Sequence, residues 1–163
     1  NDCEATNRAV FNLAPSAELI TWDVTALGLP SSNMAFTQGH FQQHIEISGV
    51  WLERGNIRGD DTRWLNSPLG LAGDKCIASL VFASGSTIEP QRATQALEAA
   101  RDVIETHPLR LQAGITCAHP QVIVLRVMSP LVEPTMDLLK KVWAVWRHTL
   151  WNLPSTPPRI WSV

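Results

Sequence analysis

From Cys76 onward the hydrophobic pattern leaves few architectures open. Cys76 to Ala83 is almost continuously apolar, as a strand covered on both faces must be. Glu89-Pro90 opens a helix, since proline is tolerated in a first turn, and Ala93, Ala96, Leu97, Ala100, Val103 and Ile104 then recur at intervals of three and four. His107-Pro108 ends it. Leu109 to Cys117 and Gln121 to Met128 read as two strands joined by Ala118-His119-Pro120, hence as antiparallel neighbours. Pro134 lies just inside a second helix with Leu138, Leu139, Val142, Trp143, Trp146 and Leu150 on one side and Asp137, Lys140, Lys141 and Arg147 on the other. With Arg159 to Val163 as a last strand, the order is strand, helix, strand, strand, helix, strand, the split-βαβ arrangement.

Residues 1–75 read mainly as strands. Arg8 to Leu13 and Leu19 to Leu27 are rich in β-formers and are separated by Ala14-Pro15-Ser16. Between Phe41 and Ser48 the chain alternates, with Phe41, Gln43, Ile45 and Ile47 on one face and His40, Gln42, His44, Glu46 and Ser48 on the other. Ser48-Gly49 leads to Val50 to Glu53 as a hairpin, and the stretch through Gly55, Gly59, Asp60 and Asp61 has no assignable pattern. The whole reads as a single domain over 1–163, strands in 1–75 and an α+β part in 76–163.

Composition excludes several function classes. Thirteen basic residues against fifteen acidic ones leave a net charge of −2, so no excess exists to neutralise phosphates and nucleic acid is not an expected partner. No apolar run is long enough for a membrane span, the longest being broken by Arg126. No export signal is visible, and Cys3, Cys76 and Cys117 are odd in number and far apart, so a reducing, cytoplasmic setting is expected. Charged residues make up only 17% and seven Trp stand beside no Tyr, which points to apolar surface covered by another chain. Trp151 and Trp161, near a terminus, are the candidate partner anchors.

Searching for chemistry yields few groups. Neither a Gly-x-Ser-x-Gly elbow nor a phosphate-cradling glycine loop occurs, so hydrolysis through His40 or His44 with Asp60 has no nucleophile to use, and any nucleotide dependence would come from a partner. On a strand His40 and His44 lie about 13 Å apart and cannot share an ion. They form either an exposed polar face or a polar surface along which ions or water pass. Asp23 interrupts Leu19 to Leu27, and Glu53-Arg54 follows Val50-Trp51-Leu52. A carboxylate in so apolar a setting is either half of an ion pair, with Arg54 or Arg126, or a hard ligand on a path for a divalent cation.

Several segments, taken in order, resemble one family. Trp22-Asp23-Val24-x-Ala26-Leu27-Gly28-x-Pro30, Phe36-x-x-Gly39-His40-Phe41, Leu52-Glu53-Arg54, Asn66-Ser67-Pro68-x-Gly70 and Pro158-Arg159-Ile160-Trp161 are similar to the urease accessory protein UreD, also called UreH. The resemblance implies a mostly β fold, a helix-like wrap of strands with two α-helices toward the C-terminus. It also implies that the chain is the C-terminal portion of a longer domain, with Asn1 falling in mid-domain. By resemblance the protein is no enzyme but a maturation factor that binds urease apoprotein and UreF, with the GTPase UreG joining through UreF. Nickel would pass through it in transit, with no cofactor tightly bound. Asp23 and Glu53, and less directly His40, carry over as groups along the nickel route. The alternative is a free-standing split-βαβ module that binds a small ligand or itself.

Overall fold

The computed structural model describes residues 2–162, so Asn1 and Val163 lie outside the described residues. Its seven strands form two sheets, with β1 (Cys3–Phe11), β3 (Gly39–Ile47) and β4 (Trp51–Arg58) in one. The other runs β2 (Glu18–Ala26), β5 (Cys76–Ser84), β7 (Val122–Ser129), β6 (Ala113–His119). Three helices complete it: short α1 (Thr62–Asn66), α2 (Pro90–Glu105) and α3 (Val132–Trp151). The result is a mostly β, α+β architecture in which the larger sheet lies between the smaller sheet and the two long helices.

β1 and β3 are parallel neighbours, although only β2 separates them in sequence. Parallel neighbours need a crossover, and here the crossover is itself a strand in the opposite sheet. The chain from β1 through β3 therefore makes one coil of a strand wrap. Gly28, in the left-handed region at φ 77°, turns the chain after β2, where an added Cβ would sit 2.4 Å from the Met34 carbonyl oxygen.

From Cys76 the split-βαβ order is present, with one correction. Arg159–Ser162 forms a 3-10 turn, and the Val163 end of the expected strand lies outside the described residues. The fourth position of the sheet is taken by β2, antiparallel to β5 over its whole length, from Glu18↔Ser84 to Ala26↔Cys76. Three proline residues between Leu153 and Arg159, Pro154, Pro157 and Pro158, also remove amide donors a ladder would need there. Smaller differences have local causes. β6 starts at Ala113, because His107 to Gln112 is held in turns by bonds from Arg110 N–H to His107 and from Gln112 N–H to Leu109. β4 runs on to Arg58 through the unassigned stretch, since Gly55 and Asn56 pair with β3 whatever their propensity.

Helix ends follow their sequence signals. The Glu89 carboxylate caps α2 by accepting from the Gln91 and Arg92 amides at 3.0 and 2.8 Å. Asn152, left-handed at φ 50°, closes α3 by donating to the Arg147 and His148 carbonyls. Between helices and sheet, Leu80, Phe82, Ile123, Leu125, Leu138, Leu139, Val142 and Trp146 are fully enclosed, and the Trp146 indole donates to the Ala96 carbonyl at 3.0 Å.

Candidate functional site

The space between the sheets is apolar at both ends and polar in the middle. At one end Ile47, Val81, Ala83, Val122 and Val124 pack with Phe11 and Trp51. At the other Leu27, Phe36, Ile57, Leu65 and Leu71 pack with Phe41, Ile77 and Met128. Between them strand register aligns a row on the larger sheet, Asp23↔Ser79 on β2 and β5, Ser79↔Arg126 on β5 and β7, and Arg126↔Gly114 on β7 and β6. Directly opposed residues point to the same face, so the row runs across all four strands, about 14 Å. On the smaller sheet the row Asn7↔Gln43↔Gly55 faces it, with Glu53 beside Gly55 on β4.

Side chains join the two rows. Asn7 and Gln43 each donate an amide N–H to Asp23, and the Thr25 hydroxyl donates at 3.3 Å. All three donors are neutral. Burial pushes the Asp23 carboxyl above the ordinary carboxylate range against the pull of these hydrogen bonds, and the nearby charge of Glu53 adds to the rise. Glu53 has a cation instead: Arg126 donates to it at 2.6 and 3.2 Å, and the Ser79 hydroxyl donates at 3.2 Å. The ion-pair reading therefore holds for Glu53 with Arg126. For Asp23 the bonded donors are amides and a hydroxyl, and Arg54 is turned to His44 on the outer face at 3.3 Å.

Asp23 also lines three adjoining cavities. One of about 420 Å³ opens between the β1 and β2 edges and is bounded by Asn7, Leu27, Met34 and Phe36. A second of about 200 Å³ lies among Asp23, Gln43, Glu53, Ser79 and Arg126. A third of about 160 Å³ lies among Asn7, Asp23, Ile45 and Ser79.

His40 is not brought to this band. It lies on the outer face of the smaller sheet, 3.2 Å from Glu4 and 2.6 Å from Asn56. His44 shares that face, 2.8 Å from Glu46. Among the described residues no group of three or more His, Cys, Asp or Glu is placed to hold a metal ion. The two candidate partner anchors are engaged within the chain. Trp151 donates its indole N–H to Glu18 at 2.6 Å, and Trp161 packs 4.7 Å from both Trp22 and Trp143. The large apolar side chains most open to solvent are Leu69, Leu111 and Ile160. No described helix is long and apolar enough to cross a membrane.

Sequence reasoning missed Asn7 and Ser79, single small polar residues inside strands with no motif around them. Gln43 carried a legible signal, as the one polar side chain on the Phe41, Ile45, Ile47 face.

Fold and site together define a two-sheet scaffold with a polar band through its middle and helices on one face. The chain belongs to the UreD urease accessory protein family, whose profile matches residues 1–162. Urease accessory protein UreD of Albidiferax ferrireducens is 58% identical over 161 residues, covering 99% of this chain and 58% of that protein. Its counterpart from Polaromonas naphthalenivorans is 55% identical over the same length, and that of Leptothrix cholodnii 39% over 159 residues. The chain thus spans somewhat more than half the length of these curated relatives, 57 to 58%.

Proposed function

We propose that this chain serves urease maturation as a scaffold that binds urease apoprotein and UreF, with UreG engaged through UreF, and that nickel passes along the polar band between its sheets. The observation that carries this reading is the pair of facing polar rows, Asp23-Ser79-Arg126 and Asn7-Gln43, laid across an otherwise apolar layer. Polar groups between sheets cost stability that apolar residues would not, so packing alone gives no reason for them. Two carboxylates with amide and hydroxyl oxygens offer a divalent cation hard ligands, but too few charges to retain it. Nickel is cargo in this reading, and no cofactor is resident. The place of work is cytoplasmic, where urease apoprotein is made. Trp151 and Trp161 are half-buried, so each adds to a partner contact only through the part of the ring left at the surface.

The test is the D23A/E53A double substitution, expressed with urease and its accessory proteins. Urease activation should fall at least about tenfold, the loss usual when groups around a metal are removed, while the complex still co-purifies. Full activation would remove both carboxylates from the route. Failure of the unsubstituted protein to co-purify with UreF or urease apoprotein would overturn the scaffold reading.

A further inference from the structure

We infer that Arg126 is the gate of this band, an internal cation that occupies the Glu53 carboxylate until a divalent cation displaces it. The inference rests on the proposed nickel route and concerns how its β4/β7 end is closed. Three features carry it. The guanidinium reaches Glu53 with two N–H groups, and its positive charge stands where an incoming cation must bind. The two ends of the pair differ in exposure, Glu53 at 18% and Arg126 at 52%, so the carboxylate belongs to the interior and the guanidinium to the rim. A pair with one partner this exposed is weak and opens readily. Finally, the residue directly opposite Arg126 on β6 is Gly114, where an added Cβ would meet nothing within 4 Å. That empty place beside Arg126 on the same face receives the guanidinium when it leaves Glu53. Gly55, two residues from Glu53 on β4, adds no side chain to the passage, and a Cβ there would meet Gln43 at 3.6 Å.

Displacement is a balanced exchange. One guanidinium–carboxylate pair breaks, one cation–carboxylate contact forms, and the Arg126 charge moves to solvent with no proton transferred. The gate therefore selects for a doubly charged cation over a singly charged one, because only the former exceeds the guanidinium in charge.

The experiment measures Ni2+ binding by equilibrium dialysis for the unsubstituted protein and the R126Q, R126K, G114V, E53Q and R126Q/E53Q variants. R126Q should bind Ni2+ at least about tenfold more tightly, as removal of a competing charge at contact distance implies, and R126Q/E53Q should lose that gain. R126K keeps the charge and should stay near the unsubstituted value. G114V fills the receiving place with a strand-favouring side chain, so the displaced guanidinium loses its position and Ni2+ binding should weaken about tenfold or more. If R126Q binds no more tightly while E53Q weakens binding, the gate is overturned and the route stands. Should the unsubstituted protein and E53Q alike show no saturable Ni2+ binding, the route itself fails and the gate with it. Far-UV circular dichroism on every variant separates these outcomes from misfolding.

Discussion

At the scale of the residue, Asp23 and Glu53 show how two carboxylates of similar sequence setting acquire different states. Glu53, on the edge strand β4 of the smaller sheet, finds Arg126 on β7, whereas Asp23, on the edge strand β2 of the larger sheet, finds Asn7, Gln43 and Thr25. Because the folded-state pKa of Asp23 lies above its unfolded value, its ionisation opposes folding. That cost is absent in acid, grows as pH rises through the ordinary carboxylate range and is constant above the folded pKa. Asp23→Asn keeps an acceptor for Asn7, and the Gln43 amide can turn to present its oxygen. D23N should therefore be the more stable protein at neutral pH, its advantage disappearing as pH falls below the ordinary carboxylate range. Urea midpoints taken across pH check this, and a pH-independent difference would refute it. On the proposed nickel route the same substitution also removes a carboxylate charge, so stability and urease activation should move in opposite directions, as is common where function holds a costly group in place.

At the scale of the element, Glu18 ties together β2, α2 and α3. Its carboxylate, at the start of β2, accepts from Arg92 on α2 and from the Trp151 indole at the end of α3, and Arg92 also donates to the Leu150 carbonyl at 2.6 Å. The hydrogen bond from Arg92 is the main cause holding the Glu18 carboxyl below its ordinary range, with Trp151 adding to it against desolvation. A depressed folded-state pKa contributes stability that is present above the unfolded pKa and is lost as pH falls through the folded one. Glu18→Ala should cost about 2 kcal/mol at neutral pH, the usual loss when a half-buried charged hydrogen-bond partner is removed. The deficit should shrink in acid as the native carboxylate protonates, and urea titration at neutral and acidic pH measures both. This junction also explains where the tryptophans went. Trp151 packs 6.4 Å from Phe82 and Trp161 closes on Trp22 and Trp143, so the terminal indoles fasten the helix layer to β2.

At the scale of the whole molecule, the larger sheet is completed from the other end of the chain. The apolar Ile20, Trp22 and Val24 of β2 pack into the helix-side core, while Asp23 faces the smaller sheet. Residues 76–163 alone would leave the β5 edge unpaired and Val81, Val122 and Val124 bare on the opposite face. That fragment should not give a folded monomer, and size-exclusion chromatography with circular dichroism should find aggregate or loss of structure. A well-folded monomer would restore the free-standing module as a reading. Much was legible from the chain itself: periodicity places α2, α3, β5 and β7, alternation assigns the two faces of β3, and Glu89-Pro90 marks the start of α2, since each rests on interactions between residues near in sequence. The carboxylate that interrupts the apolar run at Asp23 and the polar Gln43 on an otherwise apolar face lie on the band's two sides. Which strand fills the fourth place beside β5, which carboxylate receives Arg126, and that His40 turns away from the band were decided by tertiary structure alone. Each depends on register between strands dozens of residues apart, and a carboxylate reads the same in sequence whether its neighbour in space is an amide or a guanidinium.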